Sequence, residues 1–156
     1  MELKDFEQRF VEAFRVQIED ASSFTIGRNK SGEMMLKRDA PCAEFGYLAV
    51  LVPEPDMIVV GCAVAQSSLY AWHHEELSQD PQQAMIDEAL TLIGNILSGR
   101  VTAKVVNHAN GSPALCGFRS KDEAPLTIAG SSALLEKYFG GEGAVTEYAW
   151  HGLTKH

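Results

Sequence analysis

Four consecutive residues, His73-His74-Glu75-Glu76, place two imidazoles and two carboxylates in one short stretch, and His151 stands far downstream. Imidazole nitrogen and carboxylate oxygen are zinc donors, but a site needs three or four of them converging at short range. On a helix, His73 and Glu76 would share a face while His74 points away. His73, His74 and His151 are thus the candidate metal ligands, and a metal-dependent hydrolase is the function they would serve. No HExxH spacing and no second paired carboxylate accompanies them. The plainer expectation is a solvated polar segment after a buried Trp72, with no metal.

His73 and His151 each close a copy of the tetrapeptide Tyr-Ala-Trp-His, at 70–73 and 148–151, and the 78-residue offset is half of the 156-residue chain. At that offset residues 4–20 fall on 82–98, with Phe14 over Leu92, Ile18 over Ile96 and Val11 over Ala89. Two amphipathic helices align by their shared period alone, so a duplicated half-domain is an open reading. The aromatic residues Tyr70, Trp72, Tyr148 and Trp150 are expected to pack in the core or at sheet edges; exposed together, they would mark an interaction surface.

Other nucleophiles lack partners. The serines of Gln66-Ser67-Ser68 and Gly130-Ser131-Ser132 have no evident His/Asp companions, and Gly140-Gly141-Glu142-Gly143 lacks the GK[ST] context of a phosphate cradle. Cys42, Cys62 and Cys116 are odd in number and unclustered. A reduced, cytoplasmic setting suits them, with at least two buried as small apolar residues.

Composition narrows the function classes. The chain is 46% hydrophobic and 22% charged, as expected of a single globular domain over 1–156. Net charge is −8, and basic residues cluster only at Lys37-Arg38 and around Arg119 and Lys121, which argues against nucleic acid. There is no run of 18 apolar residues and no charged-then-apolar leader, so neither a membrane span nor a signal peptide is expected.

The elements that position these residues follow from periodicity. Phe6, Phe10, Val11, Phe14 and Ile18 recur at helical spacing between Leu3 and Glu19. Strand-like runs follow at 23–27 and 33–38 around Asn29–Gly32, then at 46–52 and 57–65 around Pro53–Asp56. Ser67–Glu76 reads as a short helix or an irregular segment. A second long helix is marked by Asp80 as N-cap, Pro81 at the first position, Gln83 to close a capping box and Gly99 to end it. Its apolar stripe is Met85, Ala89, Leu92, Ile93, Ile96 and Leu97. Strands are expected at 100–108 and 114–119 around Asn110-Gly111, with His108 exposed beside that turn. A strand at 125–130, a short helix from Ser131 or Ser132 to Phe139 and a last strand at 144–152 complete an α+β domain with a largely antiparallel sheet packed against two long helices.

Within the second helix, Ala89-Leu-Thr-Leu-Ile-Gly-Asn-Ile-Leu-Ser-Gly99 resembles the signature helix of the CheC/CheX-type phosphatases of bacterial chemotaxis, roughly A-L-x-E-I-x-N-I-x-x-G. The N-terminal helix, the apolar hairpin before the signature and Pro125-Leu-Thr-Ile-Ala-Gly130 have counterparts in that layout. The resemblance implies a pseudo-two-fold fold and action on the aspartyl phosphate of a response regulator, whose own Mg would serve the reaction; the chain would need no cofactor. An acidic residue would meet the regulator's lysine, and an asparagine three positions later would orient the attacking water.

Asn95 matches that asparagine, but Leu92 occupies the acidic position. Glu88, the substitute acid, lies seven residues before Asn95, about 10 Å along the axis. Asp87 and Thr91 point elsewhere than Asn95 but join Glu88 and Asn95 as partner-binding candidates. The expectation is a non-catalytic or degenerate CheC/CheX-like domain of bacterial signalling with Asn95 on an exposed helix face. It would contact a protein partner such as a response regulator and pair with itself through sheet edges. Three alternatives stay open: an active phosphatase using Asn95 with Glu88, the metal-dependent hydrolase, and a chaperone or immunity-type binding protein.

Overall fold

Helix α1 spans Asp5–Gln17 and buries Phe6, Phe10, Val11 and Phe14, the face that its apolar spacing prescribes. Its start is fixed by Glu7, whose Oε2 accepts the Lys4 backbone N–H at 3.0 Å. Arg28 grips the same carboxylate from across the fold, Nη1 to Oε1 at 3.0 Å and Nη2 to Oε2 at 2.8 Å. The helix ends at Ile18, which is extended and donates its N–H to the Phe14 carbonyl. Asp20 then turns the chain in the left-handed region at φ 56°.

The computed structural model describes residues 1–107, 113–121 and 145–152. Strands β1 (Thr25–Arg28), β2 (Met34–Asp39), β3 (Tyr47–Glu54), β4 (Met57–Gly61) and β5 (Gln66–Tyr70) form an antiparallel sheet in chain order. Between β1 and β2, Asn29 Oδ1 accepts the N–H groups of Ser31 and Glu33, and Gly32 takes φ +80°. Between β3 and β4, Glu54 pairs with Met57 and leaves Pro55-Asp56 as a two-residue turn.

The run 57–65 was expected to be one strand. It stops at Gly61, because Cys62 donates its N–H to the Ala65 carbonyl at 2.8 Å and reverses the chain. The segment from Ser67, ambiguous in the sequence, is strand β5 followed by a 3₁₀ turn at Ala71–His74. Pairing with β4 from Met57↔Tyr70 to Gly61↔Gln66 overrides its weak helical pattern.

Helix α2 spans Pro81–Leu97, with Asp80 Oδ1 accepting the Gln83 N–H at 3.1 Å. Half of the expected capping box forms: the Gln83 side chain turns away to Arg9 and Asp87 instead of closing it. Gly99 follows the helix at φ +80°. The buried stripe is Met85, Ile86, Ala89, Leu90, Ile93 and Ile96. Leu92 and Leu97, expected in it, are half-buried because α2 contacts α1 as well as β4 and β5, which turns Ile86 and Leu90 inward. Each such side chain fully buried contributes about 1.5–3 kcal/mol.

A second antiparallel sheet follows, ordered β7-β6-β8, from β6 (Val101–Asn107), β7 (Pro113–Ser120) and β8 (Val145–Tyr148). Ala103 and Phe118, paired across β6 and β7, join the same core as α2 and the first sheet. The fold is therefore α+β, with every described strand pairing antiparallel and two long helices. Among the described residues no helix is long and apolar enough to cross a membrane. His108, the Asn110-Gly111 turn, the 125–130 strand, the helix ending at Phe139 and the glycine turn at 140–143 lie outside the described residues.

Candidate functional site on helix α2

Asp87 and Glu88 are neighbours on α2, and Thr91 and Asn95 follow Glu88 at spacings of three and four. Asp87, Glu88 and Thr91 are exposed and Asn95 is half-buried. All four line one open groove of about 480 Å³, as does Leu92. Ser67 and Leu69 of β5 and Phe118 of β7 form the facing wall. Sequence periodicity separated Asp87 and Thr91 from Asn95. The groove unites them because α2 lies against β5 beside β7, so the cleft between helix and strands takes in more than one helical face.

Asn95 Oδ1 accepts a hydrogen bond from Arg100 Nε at 3.1 Å, and its backbone carbonyl accepts from Ser98 Oγ at 3.1 Å. Arginine only donates, which fixes the carboxamide's orientation. Its Nδ2 is left without a partner among the described residues. Leu92, at the position where the resemblance implies an acid, packs partly against the core.

Glu88 is not a free carboxylate. Its Oε2 lies 2.5 Å from His74 Nε2, so a candidate acid and a candidate metal ligand are each other's partners. The link ties the 3₁₀ turn at Ala71–His74 to the middle of α2. Asp87 is held more lightly, by Gln83 Nε2 at 2.9 Å. At the helix start, Arg9 Nη2 reaches Asp80 Oδ2 at 2.7 Å and Gln83 Oε1 at 2.9 Å. The Gln83 backbone N–H, with Arg9 beside it, holds the Asp80 carboxyl below its ordinary pKa.

The three histidines do not meet. His73 packs its ring on Trp72, centroids 3.9 Å apart, and on Tyr70 at 5.5 Å. His74 faces Glu88, and His151 lines a separate cavity beside Trp150. Among the described residues no three His, Cys, Asp or Glu side chains are grouped closely enough to hold a metal ion.

Trp72, expected to be buried, is 59% exposed, because the chain leaves the sheet at Tyr70 and the 3₁₀ turn carries the indole outward. Leu77, just beyond, is 91% exposed. In the second copy of the tetrapeptide Trp150 is buried, edge-on to Phe45 at 5.7 Å. One word thus serves two unrelated environments. The cysteines also depart from expectation: only Cys62 is buried, and burial raises its thiol pKa. Cys42 sits in the loop before β3 with its Sγ donating to Glu44 Oε2 at 3.0 Å, and Cys116 lies exposed on β7, an outer strand of its sheet.

Sequence reasoning missed Arg100 and the His74–Glu88 pair. Arg100 follows the helix-ending Gly99, where a basic residue reads as generic, and His74 stands 14 positions before its partner, beyond any local spacing rule. Comparison with protein-family models, curated proteins and solved structures gives no match for this chain.

Proposed function

We propose that the chain is a protein-interaction domain that presents the α2 groove and the adjoining aromatic turn to a partner bearing cationic side chains. The observation that carries this reading is one continuous surface chemistry. Asp87 and Glu88 rim the groove, Leu92, Leu69 and Phe118 give it apolar walls, and Trp72 stands exposed where His74 clasps α2. Exposed Glu75 and Glu76 add negative charge beside the indole. An exposed aromatic with an acidic surround suits lysine or arginine, through cation–π attraction and charge pairing.

The resemblance of 89–99 to the CheC/CheX signature supplies the partner class, a response regulator whose active site carries a lysine. A pseudo-two-fold layout belongs to the same proposal, and it is supported by the helix limits: adding 78 to Asp5 and Gln17 gives 83 and 95, both inside α2. So does pairing through a sheet edge, for which β1, at the end of its sheet order, offers a described edge.

A second reading, active dephosphorylation, is favoured by one observation: the Nδ2 of Asn95, a groove-lining residue, has no partner among the described residues and could hold a water. Against it stand Leu92 in the acidic position and Glu88 already bonded to His74. Incubation with phosphorylated receiver domains separates the two. The interaction reading expects binding that Thr91→Arg weakens, and phosphate loss no faster than the regulator alone. Accelerated loss abolished by Asn95→Ala would replace it with the phosphatase. No binding to any receiver domain would remove the response regulator as partner.

A further inference from the structure

A cavity of about 400 Å³ opens where the C-terminal ends of α1 and α2 come together, on a side of α2 distinct from the groove above. Two guanidiniums face it, Arg38 from β2 and Arg100 from the chain after α2. Among the described residues neither forms an ion pair. Arg38 is held in place by stacking instead, 5.4 Å over the Trp150 ring and 5.9 Å from that of Phe24. Aromatic stacking leaves the in-plane N–H donors of a guanidinium open to a ligand. Arg100 uses its Nε on Asn95, so its two terminal nitrogens have no described partner.

Glu19 and Asp20, from the chain after α1, line the same cavity and likewise form no ion pair among the described residues. Asp20 turns the chain there in the left-handed region, φ 56°. The cavity therefore carries unneutralised charge of both signs, each from its own stretch of chain. Helix C-termini add partial negative charge, so a polyanion is disfavoured.

We propose that this cavity is a binding site for a small zwitterion of the α-amino-acid class. Its carboxylate is received by Arg38 and Arg100 and its ammonium by Glu19 and Asp20. A volume of about 400 Å³ lies within the usual range for small-molecule pockets and accommodates an amino acid. The site does not depend on the partner reading of the α2 groove, and it would stand if that reading failed.

Trp150 supplies the readout, since it lies under Arg38. In a Trp72→Phe background it is the remaining tryptophan. Each standard amino acid is titrated singly against its fluorescence, with thermal shift as a second readout. At least one is expected to bind saturably, and its N-acetyl and carboxamide derivatives roughly tenfold or more weaker, since each lacks one charged partner. Arg38→Met, which keeps the stack and removes the charge, is expected to weaken binding by a similar factor. Glu19→Gln, at an exposed position, does the same and covers the case in which Arg38→Met fails to fold. No saturable binding by any amino acid overturns the proposal. So does equal binding of the capped derivatives, or affinity unchanged in Glu19→Gln.

Discussion

Arg100 donates its Nε–H to Asn95 Oδ1 at 3.1 Å, and the two residues line different cavities on either side of the end of α2. The bond fixes which side of the Asn95 carboxamide accepts and leaves Nδ2 without a partner among the described residues. It also places a charged side chain behind the residue around which the sequence resemblance turns. A partner entering the proposed groove would meet a carboxamide held by Arg100 rather than a free rotor.

The grip of Arg28 on Glu7 joins the first turn of α1 to β1. Arg28 above all, with the Lys4 N–H, holds the Glu7 carboxyl below its ordinary pKa of 4.5, against burial, which pushes it up. A carboxyl depressed in the folded state stabilises the fold above its unfolded pKa, and that contribution is lost as pH falls through the folded value. Glu7→Gln is expected to destabilise the protein by about 1–3 kcal/mol at neutral pH. Urea unfolding at stepped pH should show the gap between wild type and variant closing below about 4.5.

Gly46 sits at φ +80°, and a Cβ built on it would lie 2.7 Å from the Ala63 Cβ. Gly46→Ala therefore adds backbone strain to an overlap, together about 2–4 kcal/mol. Adding Ala63→Gly should restore only the overlap part, which thermal unfolding of the single and double variants can separate. Full restoration would mean that the left-handed backbone carries no strain.

His74 and Glu88 are both partly exposed, so their pair contributes no more than about 1 kcal/mol to global stability. Its role is local. His74→Ala should leave the unfolding midpoint nearly unchanged while amide exchange rises across 71–78, where the turn loses its tie to α2. Unchanged exchange there would show that packing alone holds the turn.

Much of this architecture was legible in the sequence. Both helices, the Asp80 cap, the Pro81 start, the Gly99 stop and the hairpins at Asn29–Gly32 and within Pro53–Asp56 follow from periodicity and turn chemistry within a few residues of each site. What was not legible depends on contacts distant in the chain. β5 is a strand because β4 pairs with it. Ile86 and Leu90 are buried because α1 lies against α2. Trp72 is exposed while Trp150 is buried, although both stand in the same tetrapeptide. The α2 candidates came from the resemblance of 89–99 to the CheC/CheX signature, but the groove that gathers them needs Leu69 and Phe118 from two other elements. Arg100 on Asn95 and His74 on Glu88 carry no local signature at all.

The α2 groove and the Trp72 turn are together the proposed surface for a partner. The direct measurement is an NMR titration of ¹⁵N-labelled protein with receiver domains of response regulators from the same genome. The prediction is that resonance changes concentrate at Asp87, Glu88, Thr91, the Asn95 side-chain amide and the Trp72 indole, and that Thr91→Arg suppresses them. Binding whose changes fall elsewhere, on the β1 edge for instance, and leave Asn95 and Trp72 unmoved would contradict it.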